Sequence, residues 1–313
     1  MTYAIDPELA EFVASLPVRD WGDPETARTA MDGLIASLNA EVDLTGVTVE
    51  DRRVPGPPGA PEVLVRVYAP ADRTAAVPGL LDIHGGGFVM GSIDMEHAAA
   101  ARFVRALGIV VVAVEYRLAP EHPFPAGLED CYAALAWMVA RAGELGIDTD
   151  RVGVYGQSAG GGLSAALALL CRERGGPALC FQYLGIPELD DRLETPSMQQ
   201  FVDTPMWNRP NAIRSWRYYL GDGVDGDVSP LAAPARETDL TGLPPAYVST
   251  MEFDPLRDEG ILYALRLLQA GVSVELHQYP ATFHGSGAVV TAAVTKRAGA
   301  ETLDAIRRGL RVG

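Results

Sequence analysis

Residues 151–170 decide the fold: R-V-G-V-Y is followed by G-Q-S-A-G-G-G and then by the apolar L-S-A-A-L-A-L-L. The first piece is typical of a buried strand and the last of a helix, so Gly-x-Ser-x-Gly falls at a strand-to-helix junction, as in a nucleophile elbow. Side chains at Gly156 or Gly160 would collide with the adjoining strand and helix. The turn exposes the Ser158 hydroxyl at a helix N-terminus, where the dipole favours developing negative charge. We therefore predict Ser158 as a nucleophile.

Strands and helices alternate along most of the chain. Two segments of alternating polarity, 47–54 and 63–69, are separated by P-G-P-P-G and predict an antiparallel hairpin. Continuously apolar segments predict buried parallel strands at 79–83, 109–115, 152–155, 179–184 and 246–251, and the alternating 272–279 predicts a strand nearer the edge. Helical segments lie near 95–107, 127–143, 159–174, 256–270 and 288–309. This order predicts a doubly wound α/β fold, with a mostly parallel sheet covered by helices on both faces.

Two regions do not fit the alternation. Residues 1–45 are typical of one or two helices, and residues 186–225 interrupt the sheet with Pro, Asp, Met and aromatic residues. Long insertions between strands are usually functional or disordered, and the aromatics argue against disorder. We predict that both regions form a helical cap over a catalytic domain built from residues 46–185 and 226–313. We expect five cap residues to line the entrance to Ser158: Trp21, Phe201, Met206, Trp207 and Trp216, with Phe201, Met206 and Trp207 as the predicted pocket residues. The alternative is that these residues form the cap's own small core.

The strand before residue 84 ends in H-G-G-G-F (84–88). Acyl transfer puts negative charge on the former carbonyl oxygen, and backbone N–H groups held around that point stabilise it by several kcal/mol. Glycines allow the main chain to approach the oxygen closely. This loop and the residue after the nucleophile, Ala159, are therefore the predicted donors. His84 then organises the loop and does not act as the base.

The base must follow the nucleophile in this type of fold, in the order Ser, Asp or Glu, His. Of the five histidines, only His277 and His284 follow Ser158. His277 lies inside a predicted strand, which suits a structural role. His284 falls just past the carboxyl end of that strand, where open α/β sheets gather their active sites. We predict His284 as the base.

The acid should also follow a strand. Asp254 lies just after the predicted strand 246–251 and would fix the tautomer of His284. An Asp followed by Pro is also a good helix N-cap, which is the structural alternative. Glu252 and Asp258 are the rival acids, and Asp254 is the predicted one.

Composition limits the partners. The chain has 41 acidic and 25 basic residues, a formal charge of −16, which disfavours nucleic acid and anionic membranes because both would be repelled. The first residues show no basic segment followed by an apolar core, and no apolar run approaches the ~18 residues that span a bilayer. The three cysteines, Cys131, Cys171 and Cys180, lack metal-site spacing and suggest reduced thiols. We expect a cytoplasmic protein without a metal.

Five motifs together resemble the bacterial hormone-sensitive-lipase-like family of carboxylesterases, which has the α/β-hydrolase fold. They are H-G-G-G-F, E-Y-R-L-A-P-E-H-P-F-P-A (115–126), G-Q-S-A-G-G, D-P-L-R-D-E-G (254–260) and Y-P-A-T-F-H-G (279–285). The resemblance implies oxyanion donors from Gly86, Gly87 and Ala159, a cap, a preference for short-chain acyl esters, and no cofactor. Two departures are Gln157, where relatives usually have Asp, Glu or Thr, and G-S-G after His284.

We therefore expect a serine carboxylesterase that hydrolyses short- to medium-chain esters through an acyl-enzyme intermediate. An amide or carbonate hydrolase on the same fold is the first alternative. A non-catalytic small-molecule receptor is the second, and receptors resembling this family lose the catalytic histidine, which is present here. The expected partner is a small ester, and the sequence leaves a homodimer open.

Overall fold

The computed structural model describes residues 3–16, 23–39, 41–221 and 227–313. The described strands are β1 (Val47–Val54), β2 (Val63–Pro70), β3 (Val77–Ile83), β4 (Val110–Glu115), β5 (Ile147–Gln157), β6 (Phe181–Gly185), β7 (Ala246–Phe253) and β8 (Val274–Phe283). They form one eight-stranded sheet in the order β1-β2-β4-β3-β5-β6-β7-β8. β1, β2 and β4 pair antiparallel, and every pair from β4 to β8 is parallel.

The predicted hairpin and the mostly parallel sheet are therefore confirmed, and β8 lies at the sheet edge as expected. One strand is longer than its apolar run. The sequence predicted a strand over 152–155, whereas β5 begins at Ile147, because the polar residues before 152 continue the extended backbone at the exposed end of the strand.

The described helices are α1 (Pro7–Ser15), α2 (Pro24–Asn39), α3 (His97–Leu107), α4 (Ala126–Ala140), α5 (Ala142–Leu145), α6 (Ala159–Arg174), α7 (Pro196–Gln200), α8 (Arg209–Leu220), α9 (Arg257–Gln269) and α10 (Ala293–Gly309). The helix predicted over 127–143 is divided at Arg141 into α4 and α5. The last helix starts at Ala293 and not near 288, because Ser286–Ala288 forms a 3₁₀ turn after Gly285.

Helices cover both faces of the sheet, and β4 shows why its sequence is continuously apolar. Val112 and Val114 pack into the core shared with α4 and α6. Val111 and Ala113 point the other way, into the core shared with α3 and α10. A strand buried on both faces has no position for a polar side chain, so period-two alternation is lost.

The two regions that do not fit the alternation are helical where they are described. Residues 1–45 contain α1 and α2, and residues 186–225 contain α7 and α8. α2 is held on the loop after H-G-G-G-F by Arg28, which donates to the carbonyls of Val89 (2.7 Å) and Ala119 (2.8 Å) and pairs with Glu121. Charge-assisted bonds of this kind are stronger than neutral ones, so α2 has a fixed position beside that loop.

The described residues contain no helix with the length and apolarity needed to cross a membrane. The three cysteines are free, with Cys131 and Cys171 buried and Cys180 half-buried.

Candidate active site

Ser158 lies in a tight turn between β5 and α6. Its backbone has φ 57° and ψ −123°, a strained conformation for a residue with a side chain. A Cβ at Gly156 would overlap the carbonyl oxygen of Gly160, and a Cβ at Gly160 would overlap the carbonyl oxygen of Ile83. The two glycines of Gly-x-Ser-x-Gly are therefore required by contact, as the sequence predicted.

Three side chains form a continuous hydrogen-bonded chain. His284 Nε2 lies 2.9 Å from Ser158 Oγ, and His284 Nδ1 lies 2.7 Å from Asp254 Oδ2. The Asp254 carboxylate is buried and also accepts the N–H of Leu256 at 2.9 Å, which fixes its orientation. Because the carboxylate accepts from Nδ1–H, Nε2 is left as the acceptor for the serine proton. The arrangement can activate Ser158 as a nucleophile.

The rival acids have other partners. Glu252 accepts the N–H of Ala281 at 2.6 Å, and Asp258 accepts the N–H of Ser197 at 2.7 Å and pairs with Arg257. His277 bonds Glu275 and Glu301. Of the candidate acids and bases, the structure brings only Asp254 and His284 to Ser158 among the residues it describes.

The H-G-G-G-F loop lies beside the turn. Gly86 has φ 115° and Gly87 has φ 57°, conformations that favour glycine. A Cβ at Gly86 would overlap the Met90 carbonyl, and one at Gly87 would come within 2.6 Å of the Trp207 ring. Among the described residues, no acceptor takes the N–H of Gly86 or Gly87. Ala159 is the first residue of α6, where helix N–H groups have no partner within the helix.

His84 organises this loop. Its Nδ1 lies 2.8 Å from the carbonyl oxygen of Gly85, and its ring stacks on Tyr116 at 4.1 Å between centroids. The Tyr116 hydroxyl donates to the His84 carbonyl at 3.0 Å. Burial lowers the pKa of His84 to about 4, so the imidazole is neutral near pH 7 and its Nδ1–H donates to Gly85.

Ser158 and His284 line a cavity of about 200 Å³ together with Gly85, Gly86 and Gly87. The remaining wall is mostly apolar: Met31, Met90, Met95, Ile186, Met206, Trp207, Gln157, Glu96 and Gly285. The Trp207 ring lies against His284, with centroids 5.8 Å apart. Thioethers are flexible and polarisable, so a wall rich in methionine can adapt to ligands of different shape.

The predicted pocket residues fall into two groups. Met206 and Trp207 line the cavity, whereas Phe201 does not and packs on Tyr3 and Phe253. Trp216 is in the core, with its ring against Phe88 and Tyr219. Trp21 lies outside the described residues.

Sequence reasoning missed the methionines and Glu96. Met31 comes from α2, and Met90, Met95 and Glu96 come from the segment between the glycine loop and α3. No local pattern marks these residues, because only the fold brings α2 to this loop. Gln157, one of the two departures from the family pattern, also lines the cavity and donates to the Tyr155 hydroxyl at 2.6 Å.

No group of His, Cys, Asp and Glu within the described ranges is arranged to hold a metal ion. That the protein needs no metal or cofactor stays a prediction.

Comparison with known proteins places the chain in a family. A family model described as the alpha/beta hydrolase fold matches residues 80–287. The chain is 38% identical to carboxylesterase NlhH of Mycobacterium tuberculosis, over 98% of this chain and 96% of that protein. It is 35% identical to esterase LipI of the same organism, over 90% and 88% of the two chains.

Among solved structures, a bacterial heroin esterase has a TM-score of 0.97 and 56% identity, covering 98% of each chain. An esterase LipW from Mycobacterium marinum has a TM-score of 0.87 and 36% identity, covering 98% of this chain and 96% of that one. Together with the Ser158–His284–Asp254 geometry, these similarities show that the chain belongs to the hormone-sensitive-lipase-like family of the α/β-hydrolase superfamily.

Proposed function

We propose that this protein is a serine carboxylesterase that hydrolyses short- to medium-chain carboxylic esters through an acyl-enzyme intermediate. The observation that carries the proposal is the hydrogen-bonded chain from Asp254 through His284 to Ser158, which opens onto a mostly apolar cavity. Such a cavity suits an acyl or alcohol chain better than a polar substrate. A receptor role is disfavoured because His284 is present and bonded to the serine.

The geometry supplies each proton transfer. As Ser158 Oγ attacks the ester carbonyl, His284 Nε2 takes the hydroxyl proton, and the Asp254 carboxylate stabilises the imidazolium. The imidazolium then gives this proton to the leaving alcohol, which leaves the acyl group on Ser158. Water attacks the acyl-enzyme with His284 again as the base, releasing the acid and restoring the serine.

Oxyanion stabilisation is assigned to the backbone N–H groups of Gly86, Gly87 and Ala159. Two features support this assignment: the glycines line the same cavity as Ser158, and their N–H groups are not taken by other acceptors of the described chain. Removing one such donor typically costs about 10²–10³-fold in kcat.

A cap built from residues 1–45 and 186–225 is also part of the proposal, over the catalytic domain of residues 46–185 and 226–313. Its support is that Met31 of the first segment and Met206 and Trp207 of the second lie in the cavity wall. A cap excludes water while the acyl-enzyme forms.

For location and partners, we propose a cytoplasmic enzyme that acts on small esters and binds neither nucleic acid nor membranes. The charge of −16 supports the absence of these partners, since nucleic acid and anionic membrane surfaces would both be repelled. The three free thiols agree with a reducing compartment.

Replacing Ser158 by Ala tests the function. We expect kcat/KM for p-nitrophenyl butyrate to fall by at least about 10³-fold, because the nucleophile is lost. A melting curve should match the wild type, since only a hydroxyl is removed. Near-wild-type turnover would end the serine-esterase interpretation.

Three substitutions separate the candidate acids. Asp254→Asn should lower kcat by about 10³–10⁴-fold, because the amide favours the wrong tautomer of His284. Glu252→Gln and Asp258→Asn should change kcat by less than about tenfold, since these carboxylates bond backbone groups away from Ser158. Steady-state kinetics on the three folded variants identifies the acid. A larger loss of kcat in Glu252→Gln than in Asp254→Asn would overturn the assignment of Asp254.

Chain-length selectivity should follow the cavity wall. Met206→Ala enlarges the cavity and should shift the preferred p-nitrophenyl ester by about two carbons or more towards longer acyl chains, because each added CH₂ can be buried for about 0.8 kcal/mol. Trp207→Phe should shift it in the same direction by less.

Phe201→Leu is the matched control, because Phe201 is buried in the same insertion but away from the cavity. It should lower the melting temperature and leave the shape of the chain-length profile unchanged. A chain-length profile that shifts in Phe201→Leu and not in Met206→Ala would show that the pocket lies elsewhere.

A further inference from the structure

One acidic side chain stands out in the apolar wall of the catalytic cavity. Glu96 is only 8% exposed, yet it lines the cavity with Ser158 and Gln157. It occupies the N-cap position of α3, but its carboxylate makes no capping hydrogen bond. Glutamate is not among the residues that commonly cap a helix N-terminus, so helix capping does not account for a buried Glu96 carboxyl.

The Glu96 carboxyl has no partner in the described part of the chain, neither a hydrogen bond nor an ion pair. Asp82, on β3, is near enough to interact with the Glu96 charge and has both carboxyl oxygens buried without a hydrogen bond. The nearby basic groups are engaged elsewhere: Arg66 pairs with Asp51 and Asp94, and His97 bonds the Tyr68 hydroxyl.

Two close, buried carboxyls without a cation are an unfavourable arrangement. Burial raises the pKa of Glu96 to about 7, and burial together with the Glu96 charge raises the pKa of Asp82 well above its usual range. A charge in such a place costs several kcal/mol unless the carboxyl takes up a proton or an opposite charge joins it. Asp82 is closed off inside the sheet, whereas Glu96 lies in the cavity wall and can reach a ligand there.

We propose that Glu96 forms a subsite for a cationic group of the substrate, so that the enzyme favours esters carrying an ammonium group over uncharged esters of the same shape. This inference rests on the proposed esterase function. The ammonium would lie against the Glu96 carboxylate while the ester carbonyl is at Ser158. The methyl or methylene groups of the ammonium would contact Met90 and Met95, which precede Glu96 in the chain and line the same cavity.

A matched pair of esters tests the subsite. Acetylcholine and 3,3-dimethylbutyl acetate have the same shape and differ by the charge on the central nitrogen or carbon. We measure kcat/KM for both with the wild type and with Glu96→Gln, which keeps the side-chain size and removes the charge. The ratio of acetylcholine to the neutral ester should fall by at least about tenfold in the variant, since a desolvated ion pair is lost.

Asp32→Asn is the control for general attraction by an acidic protein. Asp32 is exposed on α2, next in the chain to the cavity-lining Met31, and does not itself line the cavity. This change should leave the ratio within about twofold of the wild type. An unchanged ratio in Glu96→Gln, an equal fall in Asp32→Asn, or a wild type that cleaves only the neutral ester would each overturn the subsite. Failure of the proposed function is distinct, because neither ester would then be cleaved.

A second measurement does not depend on the variant folding. Tetramethylammonium and tert-butyl alcohol are compared as competitive inhibitors of 3,3-dimethylbutyl acetate hydrolysis by the wild type. The ammonium ion should inhibit at concentrations at least about tenfold lower, because only it offers a charge to Glu96. Equal inhibition by the two compounds would contradict the proposal.

Discussion

The contact between Gly156 and Gly160 is the constraint on which the rest of the site depends. It lets β5 turn directly into α6, so that Ser158 adopts a positive φ and its hydroxyl stands clear of both elements. The carbonyl of Ile83 lies against Gly160, and this brings the end of β3 to the same turn. Since β3 and β5 are adjacent parallel strands, the glycine loop and the serine are neighbours by topology.

The same sheet order brings the other two catalytic groups. β7 and β8 are the last two strands, and their carboxyl ends carry Asp254 and His284. Parallel strands end at one edge of a sheet, so groups separated by 126 residues of sequence, Ser158 and His284, lie within hydrogen-bonding distance. Two helices pack at this edge of the sheet. Arg28 bonds α2 to the glycine-loop segment, and α8 packs on Phe88.

Polar groups around the serine fall into two kinds. Asp254 is buried but accepts from His284 and from the Leu256 N–H, and His84 is buried but neutral. Their hydrogen bonds offset the cost of burial and make the site rigid before substrate arrives. Glu96 and Asp82 lack such partners, and their burial cost is not offset within the described chain. Asp82 is closed off inside the sheet, whereas Glu96 lies in the cavity wall, where a bound cation would offset the cost of its burial.

The sequence was a good guide wherever a motif has a single physical use. Gly156 and Gly160 suit the tight turn around Ser158, and the alternating segment 272–279 indicates a strand that ends before His284, so the sequence alone assigns both residues. Asp254 was less certain, because Asp before Pro also suits a helix cap. Phe201 shows the limit: an aromatic residue in an insertion can form the insertion's own core or the pocket wall. Composition does not distinguish these two roles. The contact of Phe201 with Phe253 shows that Phe201 packs away from the pocket wall.

The wall of the cavity could not be predicted for a related reason. Met31 and Glu96 are 65 residues apart in sequence and line the same cavity only because α2 is fixed beside the glycine-loop segment. No periodicity or spacing encodes that contact. The chemistry of the site therefore follows from local motifs, whereas its selectivity follows from tertiary packing.

Covalent labelling tests the central claim, the activation of Ser158, most directly. Diethyl p-nitrophenyl phosphate reacts with a serine only when a neighbouring base and an oxyanion site activate it. The protein is incubated with this reagent, released p-nitrophenol is counted, and the modified peptide is located by mass spectrometry. We expect one diethylphosphoryl group per chain, on Ser158, with loss of esterase activity in proportion to labelling. Inactivation with the label on another residue, or with Ser158 unmodified, would contradict it.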